Sequence, residues 1–329
     1  MASTPVNAAT LEELVSAAVA APSMHNTQPW RFRFAPDAMT VEIHAAPQHM
    51  LPEEDPHARA VHIAAGAALF NLRLAVEHLG WTPVHRLLPD PDHPGLLAAL
   101  RITGGARPSN HHAALYDMIW RRHSSRFPFT GERPPTPVLH ELAEAAHAEG
   151  TALELPDVAE TRRVLRLTSE GEHRNHLDVK RAAESRRATV AAAGAGRGLP
   201  PAAQGPQDSF ARLPMRDFTA ERHTERLPSR AFEHTPTIAI LRTAHDRRSD
   251  WLRCGQSLQH TLLVATKHGL RTSLLHQALE WPDLREQLRN ADHLRHHAQM
   301  LIRLGYGEQG AGTPRIPARQ LLTTRQAGP

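Results

Sequence analysis

Two short segments carry most of the residues that could do chemistry. The first, AAPSMHNTQPWRF (20–32), lies between a helix-periodic stretch and an alternating strand. Pro22 ends the helix, and Ser23, Asn26, Thr27 and Gln28 put short polar groups on an exposed turn, the composition of a ligand loop. An ordinary polar turn ahead of Pro29 would have the same composition. The second, MIWRRHSSRFPF (118–129), gathers Arg121, Arg122 and Arg126 around Ser124 and Ser125. Guanidinium groups hold phosphate bidentately and hydroxyls add donors. A solvated helix end, where arginine favours the macrodipole, has the same spacing. Spacing alone leaves both readings open.

Composition narrows the classes. The formal net charge is +4, and lysine occurs only at Lys180 and Lys267, so nearly all the basic charge is arginine. That arginine is spread along the chain among Asp and Glu instead of forming a patch or tail, which argues against a nucleic-acid binder. The 24 histidines form no HExxH pattern, and His293, His296 and His297 lack a carboxylate or cysteine at ligand spacing, so a polar face is expected there and no metal site. Cys254 is the single cysteine; it can form no internal disulfide and is expected as a packed thiol. No basic-then-apolar leader opens the sequence, and its apolar runs break well before the ~18 residues of a membrane span. The expectation is a soluble, unexported, cytoplasmic protein.

The elements that must position the two segments contain a repeat. VHIAAGAALFNLRLAVEHLGW (61–81) matches DWLRCGQSLQHTLLVATKHGL (250–270) at a constant spacing of 189, pairing Gly66 with Gly255, Leu69 with Leu258, Leu74 with Leu263 and Gly80 with Gly269. Both read as core helices stopped by a glycine. LEELVSAAVA (11–20) matches LHELAEAAHA (139–148) at a spacing of 128, with Thr10 as a possible cap for the first and Pro134–Pro137 opening the second. The two spacings differ by 61, so the second copy carries that many extra residues, most simply at about 170–232. That stretch holds AAAGAGRGLPPAAQGPQ (191–207) and DSFARLPMRDF (208–218), and is expected as an irregular lid or binding loop. WRFRF (30–34) and TVEIH (40–44) read as a hairpin, and LAALRIT (97–103), TIAILRT (237–243) and QMLIRLGYG (299–307) as strands. Helices and strands mix without strict alternation, which predicts an α+β fold.

The two segments together resemble the nitroreductase superfamily of FMN oxidoreductases. Its members run Arg-Arg-Ser-x-Arg, a helix, then Ala-Pro-Ser-x-x-Asn-x-Gln-Pro-Trp. Here stand Arg121-Arg122-His123-Ser124-Ser125-Arg126 and Ala21-Pro22-Ser23-Met24-His25-Asn26-Thr27-Gln28-Pro29-Trp30. GLRTSLLHQ (269–277) resembles the family's strand-entry loop, and QMLIRLGYG with PRIPARQ (314–320) its last strand and arginine tail. The order departs from the family: copy one lacks the arginine motif, and copy two has Glu149-Gly150-Thr151 where Ala-Pro-Ser should be. Family members form homodimers with each FMN between subunits, so the resemblance, closest to the Acg-like branch, implies two fused half-copies (1–110 and 111–329) that build one composite site.

Carried over residue by residue, Arg121, Arg122, Ser124 and Arg126 are expected to hold the FMN phosphate and ribityl chain. Pro22, Ser23, Met24 and Asn26 are expected against the isoalloxazine, Gln28 among the cofactor-binding residues, Leu274, Leu275 and His276 at the N5–O4 edge, and Arg315 and Arg319 near the phosphate. The resemblance implies an NAD(P)H-dependent reductase of nitroaromatic or quinone-type acceptors, working as a monomer or loose dimer. The alternative is an FMN storage protein whose insertion closes the site.

Overall fold

The computed structural model describes residues 6–105, 110–190, 196–218, 228–289 and 296–324. Residues 191–195 and 219–227 of the expected insertion, and His293, lie outside them.

The first part of the chain runs α1 (Ala8–Val19), β1 (Trp30–Ala35), β2 (Thr40–Ala45), α2 (Arg59–His78), β3 (Thr82–Leu87) and β4 (Leu96–Thr103). After α3 (Asn110–Arg121) come α4 (Thr136–Ala148) and β5 (Ala152–Glu154). Then follow α5 (Val158–Leu177), α6 (Val179–Val190), α7 (Pro201–Gln204), β6 (Gln207–Asp208) and β7 (Ser229–Arg230). The chain closes with β8 (Thr237–Thr243), α8 (Arg248–Lys267), β9 (Arg271–Leu275), α9 (Pro282–Gln287), β10 (His297–Gly305), α10 (Ala318–Leu321) and β11 (Leu322–Thr324). Helices and two main sheets share one core, as expected of α+β.

The two parts repeat one topology. One sheet has the order β11-β1-β2-β4-β3 and the other β5-β8-β10-β9. With β11 set aside, α1-β1-β2-α2-β3-β4 and α4-β5-β8-α8-β9-β10 have the same element order, the same strand order and the same antiparallel pairings. β11 is the exception: it pairs parallel with β1, Phe32 opposite Leu322.

α2 and α8 cross at the centre, and their contacts are reciprocal. A Cβ on Gly66 would collide with the carbonyl oxygen of Leu252 and lie 3.0 Å from the Gly255 Cα; a Cβ on Gly255 would collide with the carbonyl oxygen of Ile63 and lie 2.8 Å from the Gly66 Cα. Leu252 is the counterpart of Ile63 at the spacing of 189. One turn further, the Phe70 and His260 rings stack at 4.8 Å, while Gln259 Nε2 donates to Asn71 Oδ1 at 2.8 Å. In sequence Phe70 matches Gln259 and Asn71 matches His260, so each contact is the image of the other. Reciprocal pairing of this kind marks a local two-fold axis. Both helices end before a glycine in the left-handed region, Gly80 at φ +88° and Gly269 at φ +73°.

Sixteen of the twenty α2 residues are buried, so its apolar length serves the core although it would suffice to cross a membrane. Cys254 is fully buried on α8, and burial pushes its thiol up to about 12. Two expectations change. The cap of α1 is Asn7, whose Oδ1 accepts from Thr10 N at 3.0 Å; Thr10 is inside the helix. The excursion between β5 and β8 spans 155–236, and much of it is helix, α5 and α6, not irregular loop. Those helices are rich in charge and bury many polar residues, such as Thr168, Glu172 and Asn175 of α5, so their apolar periodicity is faint in sequence.

Candidate functional site

The 20–30 segment is a tightly held turn. α1 stops at Val19, and a 3₁₀ turn at Met24–Asn26 follows. His25, Asn26 and Gln28 all have left-handed backbones, at φ 49°, 57° and 51°. Each such non-glycine residue costs on the order of 1–3 kcal/mol and persists only when its surroundings hold it. Asn26 Nδ2 donates to Pro314 O at 2.8 Å and Gly198 O at 3.1 Å, and Gln28 Nε2 donates to Gly196 O at 2.7 Å. Gln28 Oε1 accepts from Ile316 N at 3.0 Å, and Ser23 Oγ accepts from Gln28 N at 3.0 Å. The amides of Asn26 and Gln28 thus staple the turn to the insertion and to the arm before α10. The sequence suggested groups facing a ligand; the structure turns Gln28 fully inward.

Beside this turn lies a group of arginines with no carboxylate bridged to any of them among the described residues. Arg122 is buried at 4 % exposure, and among the described residues its side chain bonds only from Nη2, to Ala20 O at 3.4 Å. Its Nε and Nη1 have no partner among the described residues. Arg315, partly buried, donates to the carbonyls of Val19, Ala20 and Ala21 at the end of α1, where the helix dipole is negative, and to Asn26 Oδ1 at 2.9 Å. Arg126 donates Nη1 to Ala203 O at 2.8 Å and lies 5.1 Å over the Phe218 ring. Burial, with Arg315 beside it, pulls Arg122 down to about 9; burial, with Arg216 nearby, takes Arg126 to about 10, and burial takes Arg315 to about 10. All stay protonated at neutral pH. Together with Ser124, Asn26 and Thr313 they surround a cavity of about 390 Å³, counting its space open to solvent. Unpaired buried charge is costly, and an anion is the group that relieves it.

A cleft of about 580 Å³, counting its space open to solvent, continues from there. One wall is Pro22–His25 from the turn; another is Ser273–Gln277, where β9 ends. Ser124 and Arg126 line its inner end, and Met215, Arg216 and Phe218 from the insertion line it too. Ser124 is fixed by a bridge to Thr272, and Ser125 N donates to Thr272 O at 2.8 Å. His276 is driven down to about 3 by burial, with Arg216, Arg59, His25 and Arg126 adding to it, so it is neutral at pH 7.

Behind the cleft runs an ionic chain that no sequence motif announces. His25 Nε2 lies 2.5 Å from Glu54 Oε2, and Arg216 bridges Glu54 at 3.1 Å and Glu280 at 2.5 Å. Burial alone would raise Glu54, but Arg216 and His25 outweigh it and hold the carboxyl at about 2. Glu280 is raised, by burial and by the charge of Glu54, with Arg216 opposing. Asn175 Nδ2 also donates to Glu280, at 2.7 Å.

The structure therefore gathers Pro22, Ser23, Met24, Asn26, Arg122, Ser124, Arg126, Leu274, Leu275, His276 and Arg315 around two adjoining cavities. It does not gather Arg121, exposed at the end of α3, or Arg319, exposed on α10. His25, Met215, Arg216 and Phe218 join the lining without having been foreseen; His25 stood inside the turn motif, and the others had only the aromatic and methionine content of 208–218 as a signal.

A turn at the end of one helix, an arginine cluster at the end of another and a sheet edge facing both define a protein class, and the chain belongs to the Nitroreductase family, whose model matches residues 119–306. Its relatives include a Mycobacterium tuberculosis (strain H37Rv) protein provisionally named NAD(P)H nitroreductase Rv3131, 28 % identical over 96 % of this chain and 90 % of that one. Another from the same strain, provisionally named NAD(P)H nitroreductase acg, is 26 % identical over 99 % of this chain and 98 % of its own. Among solved structures, a nitroreductase with bound FMN from Desulfitobacterium hafniense DCB-2 aligns with 65 % of this chain and 98 % of its own, at 15 % identity and a TM-score of 0.41.

Proposed function

We propose that the chain is an FMN-dependent oxidoreductase that uses NAD(P)H to reduce nitroaromatic or quinone-type acceptors, with one composite flavin site built from two half-copies, 1–110 and 111–329. The observation that carries the flavin reading is the buried Arg122 guanidinium, with Nε and Nη1 unpartnered, at the cavity between the turn and the arginine segment. A phosphate there meets Arg122, Arg126 and Arg315 with the Ser124 hydroxyl, a charge-assisted cradle. Pro22, Ser23 and Met24 then face the isoalloxazine from one half and Leu274–His276 from the other. Bound there, FMN supplies two-electron transfer between a nicotinamide donor and an acceptor. The protein contributes position, a neutral imidazole at His276 and a net positive field from Arg122, Arg126 and Arg315 that favours an anionic ligand.

The reciprocal α2–α8 crossing and the repeated topology support the half-copies. The fused chain is then a monomer or a loose dimer, and sedimentation that finds an obligate dimer sharing its sites overturns this. For the flavin, the visible spectrum of purified protein is recorded and the chromophore identified after denaturation. One FMN per chain supports the composite site; no bound flavin, and none taken up on addition, removes the reading.

A second reading, FMN storage without turnover, draws support from Met215, Arg216 and Phe218 of the insertion lining the cleft. Anaerobic addition of NADH or NADPH separates the two: bleaching of the flavin band supports the reductase, and an oxidised spectrum with both donors supports storage.

A further inference from the structure

The arginine cavity is not closed at its far end. A groove of about 720 Å³, counting its space open to solvent and larger than the cleft or the arginine cavity, adjoins it. The two share Arg122, His123, Thr313 and Arg315, so the same guanidinium groups face both spaces. The groove's walls are apolar: Val19 at the end of α1, Ile119 on α3 and Ile316 in the arm before α10. No Asp or Glu lines it. At its side stands Trp120, 47 % exposed, an unusual exposure for an indole. Its ring is set edge-on to Tyr116 at 6.3 Å, and Tyr116 is itself stacked on His78 at 3.8 Å. An aromatic plane held beside Arg315 and the unpartnered nitrogens of buried Arg122 suits a ligand that joins a base to phosphate. The FMN reading uses the arginine cavity and leaves this groove without an occupant.

We propose that the groove is a nucleotide subsite that takes an adenosine phosphate, its base on Trp120 and its phosphate on Arg122 and Arg315. The proposal rests on the flavin-phosphate reading for one of its two sources. The adenosine phosphate is the second half of FAD, continuing from the flavin phosphate, or it is a separate adenine nucleotide bound beside FMN.

Flavin-free protein is titrated with FMN and with FAD, following flavin fluorescence, and FMN-loaded protein is titrated calorimetrically with ADP. Each titration is repeated with Trp120→Ala, whose exposed ring can be removed without opening the core. The expected result is that FAD binds at least as tightly as FMN, or that ADP binds the loaded protein. Trp120→Ala then weakens that ligand by about tenfold, the usual scale of base stacking on an aromatic ring, while FMN affinity is unchanged. Tight FAD binding identifies the first source, and ADP binding without FAD preference the second. The proposal is overturned if FMN binds while FAD binds at least about tenfold more weakly and ADP not at all, or if Trp120→Ala weakens FMN as much as FAD. Failure of both flavins to bind removes the flavin reading instead, and ADP titration of the unloaded protein still decides the groove.

Discussion

The two matched parts of the chain differ most in one connection. Between β1 and β2 the chain turns at once, through 36–39; between β5 and β8 it makes the excursion 155–236. Sheet order and the central helix are the same on both sides. The reason is mechanical: α2 and α8 meet backbone to backbone at Gly66 and Gly255, so neither can change without the other. A hairpin end at a sheet's edge has no such partner and can lengthen. The shared frame holds the site and the unshared loop lines it, with Met215, Arg216 and Phe218 on one side only. Difference between the two matched parts is thus concentrated at the lining of the candidate cleft.

The largest effect tests the frame. Gly66→Leu or Gly255→Leu drives a side chain into backbone that cannot yield, and thermal unfolding followed by circular dichroism should show a loss of ~3 kcal/mol or more. Gly95→Ala, with nothing within 4 Å of the new Cβ, should leave the midpoint nearly unchanged. If the two classes behaved alike, the crossing would not be the constraint described.

Next comes the ionic chain that joins the excursion to the first half. Glu54→Gln leaves Arg216 with Glu280 alone, and urea unfolding should show a loss of ~2–3 kcal/mol, below the 3–5 typical of stranding a buried charge because one partner remains. The pH dependence has a defined sign. The Glu54 carboxyl is depressed from 4.5 to about 2, so its contribution is fully present above 4.5 and is lost as pH falls toward 2. The variant should flatten that acid limb. His276, depressed from 6.5 to about 3, acts earlier: its contribution is present above 6.5 and declines below it as the unfolded chain takes up the proton. His276→Gln should therefore narrow the stability difference between pH 7 and pH 5, and an unchanged difference would remove His276 from the account.

Arg122→Ala distinguishes the cation cluster from the exposed motif beside it. FMN binding should weaken by ~1.5–3 kcal/mol, while the flavin-free protein becomes no less stable because an unpartnered charge has gone. Arg121→Ala should change neither, and equal losses in both variants would show that general charge, not the buried site, decides binding. The smallest effect is at the cap: Asn7→Ala should cost ~1 kcal/mol, read as a small fall in the thermal midpoint.

The sequence made the frame legible because its signals are local. The glycine-stopped helices, the 30–44 hairpin and the strands at 97–103, 237–243 and 299–307 each announce themselves by period and end residue. The turn and the arginine segment were legible as binding-type composition, and they do line adjoining cavities. Side-chain direction was not. Whether Asn26 and Gln28 face a ligand depends on the carbonyls of Gly196, Gly198 and Pro314, which come from 168, 172 and 288 residues away. The Glu54–Arg216–Glu280 chain was hidden for the same reason, each member lying in a different segment. α5 and α6 carry faint apolar periods because they bury polar residues, Thr168 and Asn175 on α5 and Glu184, Ser185 and Thr189 on α6.

The parallel pairing of β11 with β1 also orders events in time. Phe32 waits for Leu322, so the edge of the first sheet stays open until almost all the described chain has been made. Arg315, Ile316 and Thr313 lie just upstream on the same arm, and they arrive with it. Contacts so distant in sequence form late because the loop they close is long. A growing chain therefore can join its crossing helices before the arm that carries Arg315 and Ile316 is available to dock. Pulse-labelled hydrogen exchange would read this as protection appearing at Gly66 and Gly255 before it appears at Phe32.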